Sequence, residues 1–239
     1  MDQSLQNHLR DFLADNKNLE AALLSSGYQG SAYLYDQDGY EIVVKEAASG
    51  LLTGWFHRLM LRREARIYEH LAGVKGVPYS PGLLDGKWLV LDFVEARSLK
   101  EQRHELQDRD GFYDLLREVI DAFHAVGIAH GDLKRKDNVL VDKLEQPNVI
   151  DFGTAVMRDG GFIDRLLYPL FVRFDHNAWI KAKYRFDTDD ISAQDMDWYE
   201  PTWVENSFRK VRRLWRTVTF RQARKRKRKR KLKRQSRQS

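Results

Sequence analysis

Apolar side chains recur along the chain with two periods, and the switches between them divide it into elements. Leu5, Leu9, Phe12 and Leu13 follow helical spacing, which predicts a helix over 2–24. Two strand-like runs come next, 32–35 and 40–45. They are joined by Asp36-Gln37-Asp38-Gly39, and an Asp-Gly between apolar runs predicts a hairpin. Helical period returns over 55–72 and stops before Gly73. The run WLVLDFV at 88–94 has the composition of a buried strand, and 111–126 that of a helix ended by Gly127. Short strands are expected at 139–141 and 148–151, separated by a turn containing Pro147, and the remainder, 162–220, reads as mostly helical. Strands with one helix in the first half and helices in the second predict an α+β fold of two lobes with a cleft between them.

Length and charge refine this picture. At 239 residues the chain is one ordinary domain or two small lobes with a sizeable core. With no cysteine it has no disulfide scaffold, thiolate metal site or cysteine nucleophile. The net charge of +6 is a misleading average: residues 221–239 carry twelve Lys/Arg and no acid, which leaves residues 1–220 at −6. Such basic blocks are commonly solvated and disordered. No apolar run approaches the ~20 residues that span a bilayer, and the polar N-terminus lacks the two regions of a secretory signal. The expected location is cytoplasmic, with the tail allowing peripheral attachment at the inner face of the membrane.

Four segments, in order, carry the candidate chemistry. In Ser26-Gly27-Tyr28-Gln29-Gly30-Ser31, glycines let backbone approach a phosphate, although a plain glycine turn looks the same. Lys45 ends the apolar run Ile42-Val43-Val44 and needs an anionic partner where it faces a cleft. On the next helix Glu64 is the first candidate and Glu69 the alternative. The third segment is His130-Gly131-Asp132-Leu133-Lys134-Arg135-Lys136-Asp137-Asn138-Val139-Leu140, and the fourth Val149-Ile150-Asp151-Phe152-Gly153. Two aspartates and an Asn beside short apolar strands suit a hard divalent cation and a phosphoryl acceptor, because such a cation wants a few oxygen ligands.

HGDLKRKDNVL followed by VIDFG resembles the catalytic loop and metal motif of the protein-kinase-like superfamily, and IVVK resembles its phosphate-anchoring lysine strand. The short C-lobe and His-Gly-Asp-Leu look most like the RIO-type kinases and the bacterial lipopolysaccharide (Kdo/heptose) kinase group. The resemblance implies a two-lobed kinase-like fold with a short helical C-lobe and a basic C-terminal tail. It divides the chain into an N-terminal helix and N-lobe (1–94), a catalytic C-lobe (95–220) and the tail (221–239). It implies ATP and Mg2+ as cofactors. Asp132 would orient or deprotonate the acceptor hydroxyl and Lys134 would neutralise the transferred phosphoryl. Asn138 and Asp151 would hold the metal, while Lys45 with Glu64 would anchor phosphates beneath Gly27 and Gly30. Asp92 and Val94 would lie in the hinge. Three departures stand out. The glycine loop is G-x-x-G, no Ala-Pro-Glu follows the metal motif, and the catalytic loop is one residue longer, so Asp137 rivals Asn138 as its metal ligand.

The implied activity is serine/threonine phosphorylation of protein, with a lipopolysaccharide-core sugar kinase as the alternative and a non-catalytic nucleotide-binding scaffold as the second. The acceptor would be a protein or a lipid-linked sugar. The tail suits an anionic membrane surface or RNA phosphates, without sequence reading. The acidic stretch 187–205 and the apolar stripe Phe208, Val211, Leu214, Trp215 and Val218 precede it. Phe171–Tyr184 is expected to pack the C-lobe, with His176 and Trp179 in its core and His130 bracing the loop.

Overall fold

A computed structural model describes residues 1–27, 30–48, 54–184, 191–196 and 198–199. Met1–Trp198 forms one compact unit. The apolar stripe at 208–218, the basic tail and most of the acidic stretch lie outside the described residues.

The expected N-terminal helix is three elements. Helix α1 (Gln3–Ala14) ends at Asp15, whose side chain accepts the Lys17 N–H and so starts α2 (Asn16–Ala21); Leu23 and Leu24 then belong to strand β1 (Leu23–Gly27). A side-chain cap inside an apolar-periodic run restarts the helix on a new axis, which periodicity alone does not show. Strands β2 (Gly30–Gln37) and β3 (Tyr40–Ala47) form the expected hairpin, pairing Gln37 with Tyr40. Both turn residues, Asp38 (φ 56°) and Gly39 (φ 79°), are left-handed, as a tight two-residue hairpin requires.

With β4 (Gly82–Leu84) and β5 (Trp88–Asp92) these strands make an antiparallel sheet in the order β1-β2-β3-β5-β4. Helix α1 covers one face: Leu5, Leu9 and Phe12 pack on Tyr35, Ile42, Val44, Leu84 and Val90. Each such burial is worth about 1.5–3 kcal/mol, whereas the exposed Arg10–Asp85 ion pair beside it contributes about 0–1 kcal/mol. Hydrophobic contact therefore holds α1 in place. Because strand side chains alternate, Val44 on the α1 face puts Lys45 on the opposite one, toward α3 (Gly54–His70).

The second lobe is mostly helical. After β6 (Ala96–Ser98) and the short α4 (Leu99–Gln102), α5 (Arg109–Ala125) leads into β7 (Ile128–Ala129) and the long α6 (Phe162–Lys183). Between them β8 (Val139–Asp142) pairs with β6 and β9 (Pro147–Val149), and β10 (Val156–Met157) pairs with β7. A four-residue α7 (Ala193–Met196) closes the described part. The fold is α+β with a kinase-like, two-lobed arrangement. No helix among the described residues is long and apolar enough to cross a membrane.

Candidate active site

Lys45 is the centre of the site. Its ammonium lies 2.6 Å from Glu64 Oε1 and 3.0 Å from Asp151 Oδ1, joining the sheet, α3 and the metal-motif segment. Glu64 is therefore the partner, and Glu69 is exposed. Glu64 occupies the inner face of α3 with Leu61, Ile67 and Tyr68, all buried. Burial alone favours a neutral amine, but the charges of Glu64 and Asp151 prevail and hold the Lys45 pKa above its ordinary value. Asp151 resists the upward push of its own burial because Lys45 neutralises and hydrogen-bonds it, so its carboxyl falls below the usual range. One ammonium faces two carboxylates, and Asp132 adds a third acidic group nearby. The carboxylate oxygens gathered here are donors that a hard cation accepts.

Asp151 takes a left-handed backbone (φ 66°, ψ 63°), which turns its side chain toward Lys45 while Phe152 goes the other way. Phe152 is fully buried, with its ring 5.4 Å from Tyr68, 5.8 Å from Phe123 and 4.7 Å from His130. The Asp151 N–H donates to the Tyr68 hydroxyl at 3.2 Å. A non-glycine residue at positive φ is strained, and these contacts are what hold it.

The catalytic-loop segment is pinned from two sides. Asn138 is buried; its Nδ2 donates to the Asp132 carbonyl at 3.2 Å, and its own carbonyl accepts the Ile150 N–H at 3.0 Å. Asp137 is exposed and paired with Lys100 at 3.2 Å. The Asp132 N–H donates to His130 Nδ1 at 3.2 Å, so His130 Nε2 carries the ring proton and donates to the Ile150 carbonyl at 3.0 Å. His130 thus braces the loop. The Asp132 carboxylate makes no hydrogen bond among the described residues and has only a long pairing to Arg135 at 3.9 Å. Burial, helped by the charge of Asp151, raises its carboxyl above the usual value. Lys134 is exposed beside it.

Beneath the loop lies a group that the sequence reading did not single out. Asp175 of α6 is fully buried, and its two oxygens accept the N–H groups of His130 and Gly131, each at 2.8 Å, with His124 Nε2 at 3.0 Å. A signal was present: Asp175 stands one turn from both Phe171 and Trp179, a carboxylate on the apolar face of a helix. Gly131 (φ 78°) lies under the Phe171 ring, where a Cβ would come within 2.2 Å of it, so no larger residue fits there unless the ring moves. Arg63 was also missed. It links α3 to the segment after Asp151 through the Ala155 carbonyl at 2.6 Å and to Asp164 at 2.7 Å.

Gly27 ends β1 opposite Gly30, the first residue of β2; residues 28–29 lie outside the described ones. A Cβ on Gly30 (φ 150°) would sit 1.8 Å from the Glu46 carbonyl oxygen, so the close approach of β2 to β3 already demands glycine there. Gly30→Ala is accordingly expected to destabilise the protein by about 1–3 kcal/mol through overpacking, read as a lower urea midpoint; an unchanged midpoint would refute this account. In the hinge, the N–H groups of Asp92 and Phe93 are taken by the carbonyls of Tyr79 (2.8 Å) and Glu41 (2.9 Å), while the Val94 N–H has no partner among the described residues.

These features fit a known pattern. Residues 53–165 match the RIO domain. The matched stretch contains Glu64, Asp92, Val94, Asp132, Lys134, Asn138 and Asp151 but stops short of Lys45 and the glycines. Beyond the RIO domain, the chain is similar to calcium-dependent protein kinase 26 of Arabidopsis thaliana, 28% identical over 163 residues that cover 62% of this chain and 34% of the relative. It is also similar to calcium-dependent protein kinase 5 of Solanum tuberosum, 26% identical over 163 residues, covering 62% and 30%. The chain spans about a third of the length of these curated relatives. The chain is thus similar to the RIO domain over 53–165 and to protein kinases over 163 residues, and its fold is kinase-like.

Proposed function

We propose that the protein is a RIO-like serine/threonine kinase that moves the γ-phosphoryl of ATP to a protein hydroxyl with Mg2+. The observation that carries this reading is Lys45 held between Glu64 and Asp151, with the Asp132 carboxylate, loosely paired to Arg135, on the loop pinned to Asn138. The Asp151 carboxylate and the Asn138 amide oxygen are the hard donors a magnesium ion accepts. Bound there, the metal would screen the phosphate charge. Lys45 binds the phosphates, the Val94 N–H, without a partner among the described residues, and the Asp92 segment receive the adenine, and Lys134 faces the transferred group. Asp132 accepts the acceptor hydroxyl proton as the new P–O bond forms and the bond to the β-phosphate breaks. Positioning and charge stabilisation supply most of the rate, which is why so few groups suffice.

One observation favours a sugar acceptor as the second reading. Helix α6 begins at Phe162, just after β10, so the chain has little segment there on which to dock a peptide. Incubation of wild type and Asp132→Ala with radiolabelled ATP, magnesium and lysate fractions separated into protein and lipopolysaccharide tests both. Label confined to wild type and to protein supports the first reading; label in lipopolysaccharide replaces it with the sugar kinase. No label with intact ATP binding leaves a nucleotide-binding scaffold.

Asn138→Ala is expected to weaken magnesium-nucleotide binding about tenfold or more, the scale of a lost metal-site interaction, while Asp137→Ala leaves it near wild type. The reverse order in calorimetric titration would exchange their roles. As to partners, the basic tail is proposed to recruit the protein to an anionic bilayer from the cytoplasmic side. Removal of 221–239 is expected to abolish low-salt sedimentation with anionic vesicles and to spare turnover on a soluble acceptor; binding to RNA but not vesicles would redirect the proposal.

A further inference from the structure

Behind the catalytic loop, α5 and α6 face each other through side chains that the proposed chemistry leaves unused. Asp121 and His124 lie on one face of α5, and His176 follows Asp175 on α6. One ligand atom from each of Asp121, His124 and His176 lies within 4.8 Å of the others. His176 Nε2 and Asp121 Oδ1 are 3.4 Å apart. Donors bound about 2.0–2.2 Å from a tetrahedral zinc ion stand about 3.3–3.6 Å from each other, so this pair already has the spacing of one edge of the tetrahedron. The side chain of Asp121 is 39% exposed, which leaves it free to rotate and close the remaining gap to His124.

The surroundings also suit a metal. His124 Nε2 meets the buried Asp175 carboxylate at 3.0 Å. A histidine whose one nitrogen donates to a carboxylate has a lone pair on the other, and this is how protein ligands to zinc are oriented and made more basic. The His124 and His176 rings are 5.0 Å apart and nearly perpendicular, and the Trp198 ring lies 4.9 Å from that of His176. Arg117, one turn before Asp121, is drawn onto the rings of Trp179 and Trp198, at 5.9 and 5.5 Å. It therefore does not occupy the Asp121 carboxylate.

We propose that Asp121, His124 and His176 form a zinc-type site, with water as the fourth ligand, that staples α5 to α6 under the catalytic loop. Two imidazoles and one carboxylate select a borderline transition metal over magnesium, so the site is chemically distinct from the oxygen donors of the cleft. The ion would tie His124 and His176 together across the helix pair. It would thereby stiffen Asp175, whose oxygens hold the His130 and Gly131 N–H groups.

Titration of the metal-free full chain with Co2+, followed by visible absorption and displaced by Zn2+, is the test. One equivalent of Co2+ is expected to give a tetrahedral d–d band that Zn2+ abolishes. His176→Gln and, separately, the less buried Asp121→Asn are expected to weaken Zn2+ binding at least tenfold, with wild-type circular dichroism; His70→Gln on α3 is expected to leave it unchanged. Zinc is also expected to slow amide exchange at His130 and Gly131 in wild type only. No stoichiometric binding, or equal affinity in wild type and both cluster variants, would overturn the site. Unchanged exchange at His130 and Gly131 would overturn its tie to the loop.

Discussion

Asp132→Asn is expected to reduce phosphoryl transfer by about 10²–10⁴-fold, the range ascribed to a positioned acid–base group, while ATP and magnesium still bind. The carboxylate is otherwise uncommitted: among the described residues its one ion pair is Arg135 at 3.9 Å, and the loop around it is fixed by hydrogen bonds to His130, Asn138 and Asp175. Removing its charge therefore takes away the proton acceptor without removing a structural tie. Burial holds this carboxyl above its ordinary value, so turnover is expected to fall as pH drops through a pKa higher than the ordinary ~3.9 of an aspartate. The stability effect has the opposite sense. A carboxyl whose folded pKa is raised contributes stability below that pKa and loses it as pH rises through it. At neutral pH Asp132→Asn is thus expected to melt at the wild-type temperature or above. A variant that loses activity and melts well below wild type would show that Asp132 holds the fold together rather than doing chemistry.

The parts of the site legible in the sequence are those whose signal is local. Lys45 ends an apolar strand, Asp132 to Asn138 and Asp151 sit beside short strands, and the order of segments is informative. What the sequence hid are ties made across the fold. Whether Lys45 would choose Glu64 or Glu69 depends on which side of α3 faces the sheet, and that is decided by the burial of Leu61, Ile67 and Tyr68. The extra residue in the loop left Asp137 as a rival to the favoured Asn138; in the structure a 3₁₀ turn over Lys136–Asn138 buries Asn138 and exposes Asp137. Asp15 hid a helix break in the same way, through a side-chain cap. Gly30 carries a different lesson. Its glycine is required by the Glu46 carbonyl, so its presence says more about strand packing than about phosphate.

Asp175→Ala is expected to cause the largest loss of stability of any single change considered, about 3–5 kcal/mol, as for removal of one partner from a buried polar network. The buried His130 N–H and the half-buried Gly131 N–H would lose their acceptor, and each buried donor left unpaired costs about 1–3 kcal/mol. Against a total stability of about 5–15 kcal/mol this is a large fraction, readable as a lower urea midpoint with an unchanged slope. Asp175→Asn is expected to lose less stability, because its amide oxygen still accepts one N–H, but its NH2 then faces another donor and tilts the loop. Asp132 follows Gly131 directly, and misplacing a reacting group by about 1 Å costs roughly 10² in rate. Turnover per folded molecule, measured well below the melting temperature, is therefore expected to fall in Asp175→Asn through kcat with little change in the KM for ATP. Full turnover in a folded Asp175→Asn protein would reduce Asp175 to a structural buttress and detach it from the positioning of Asp132.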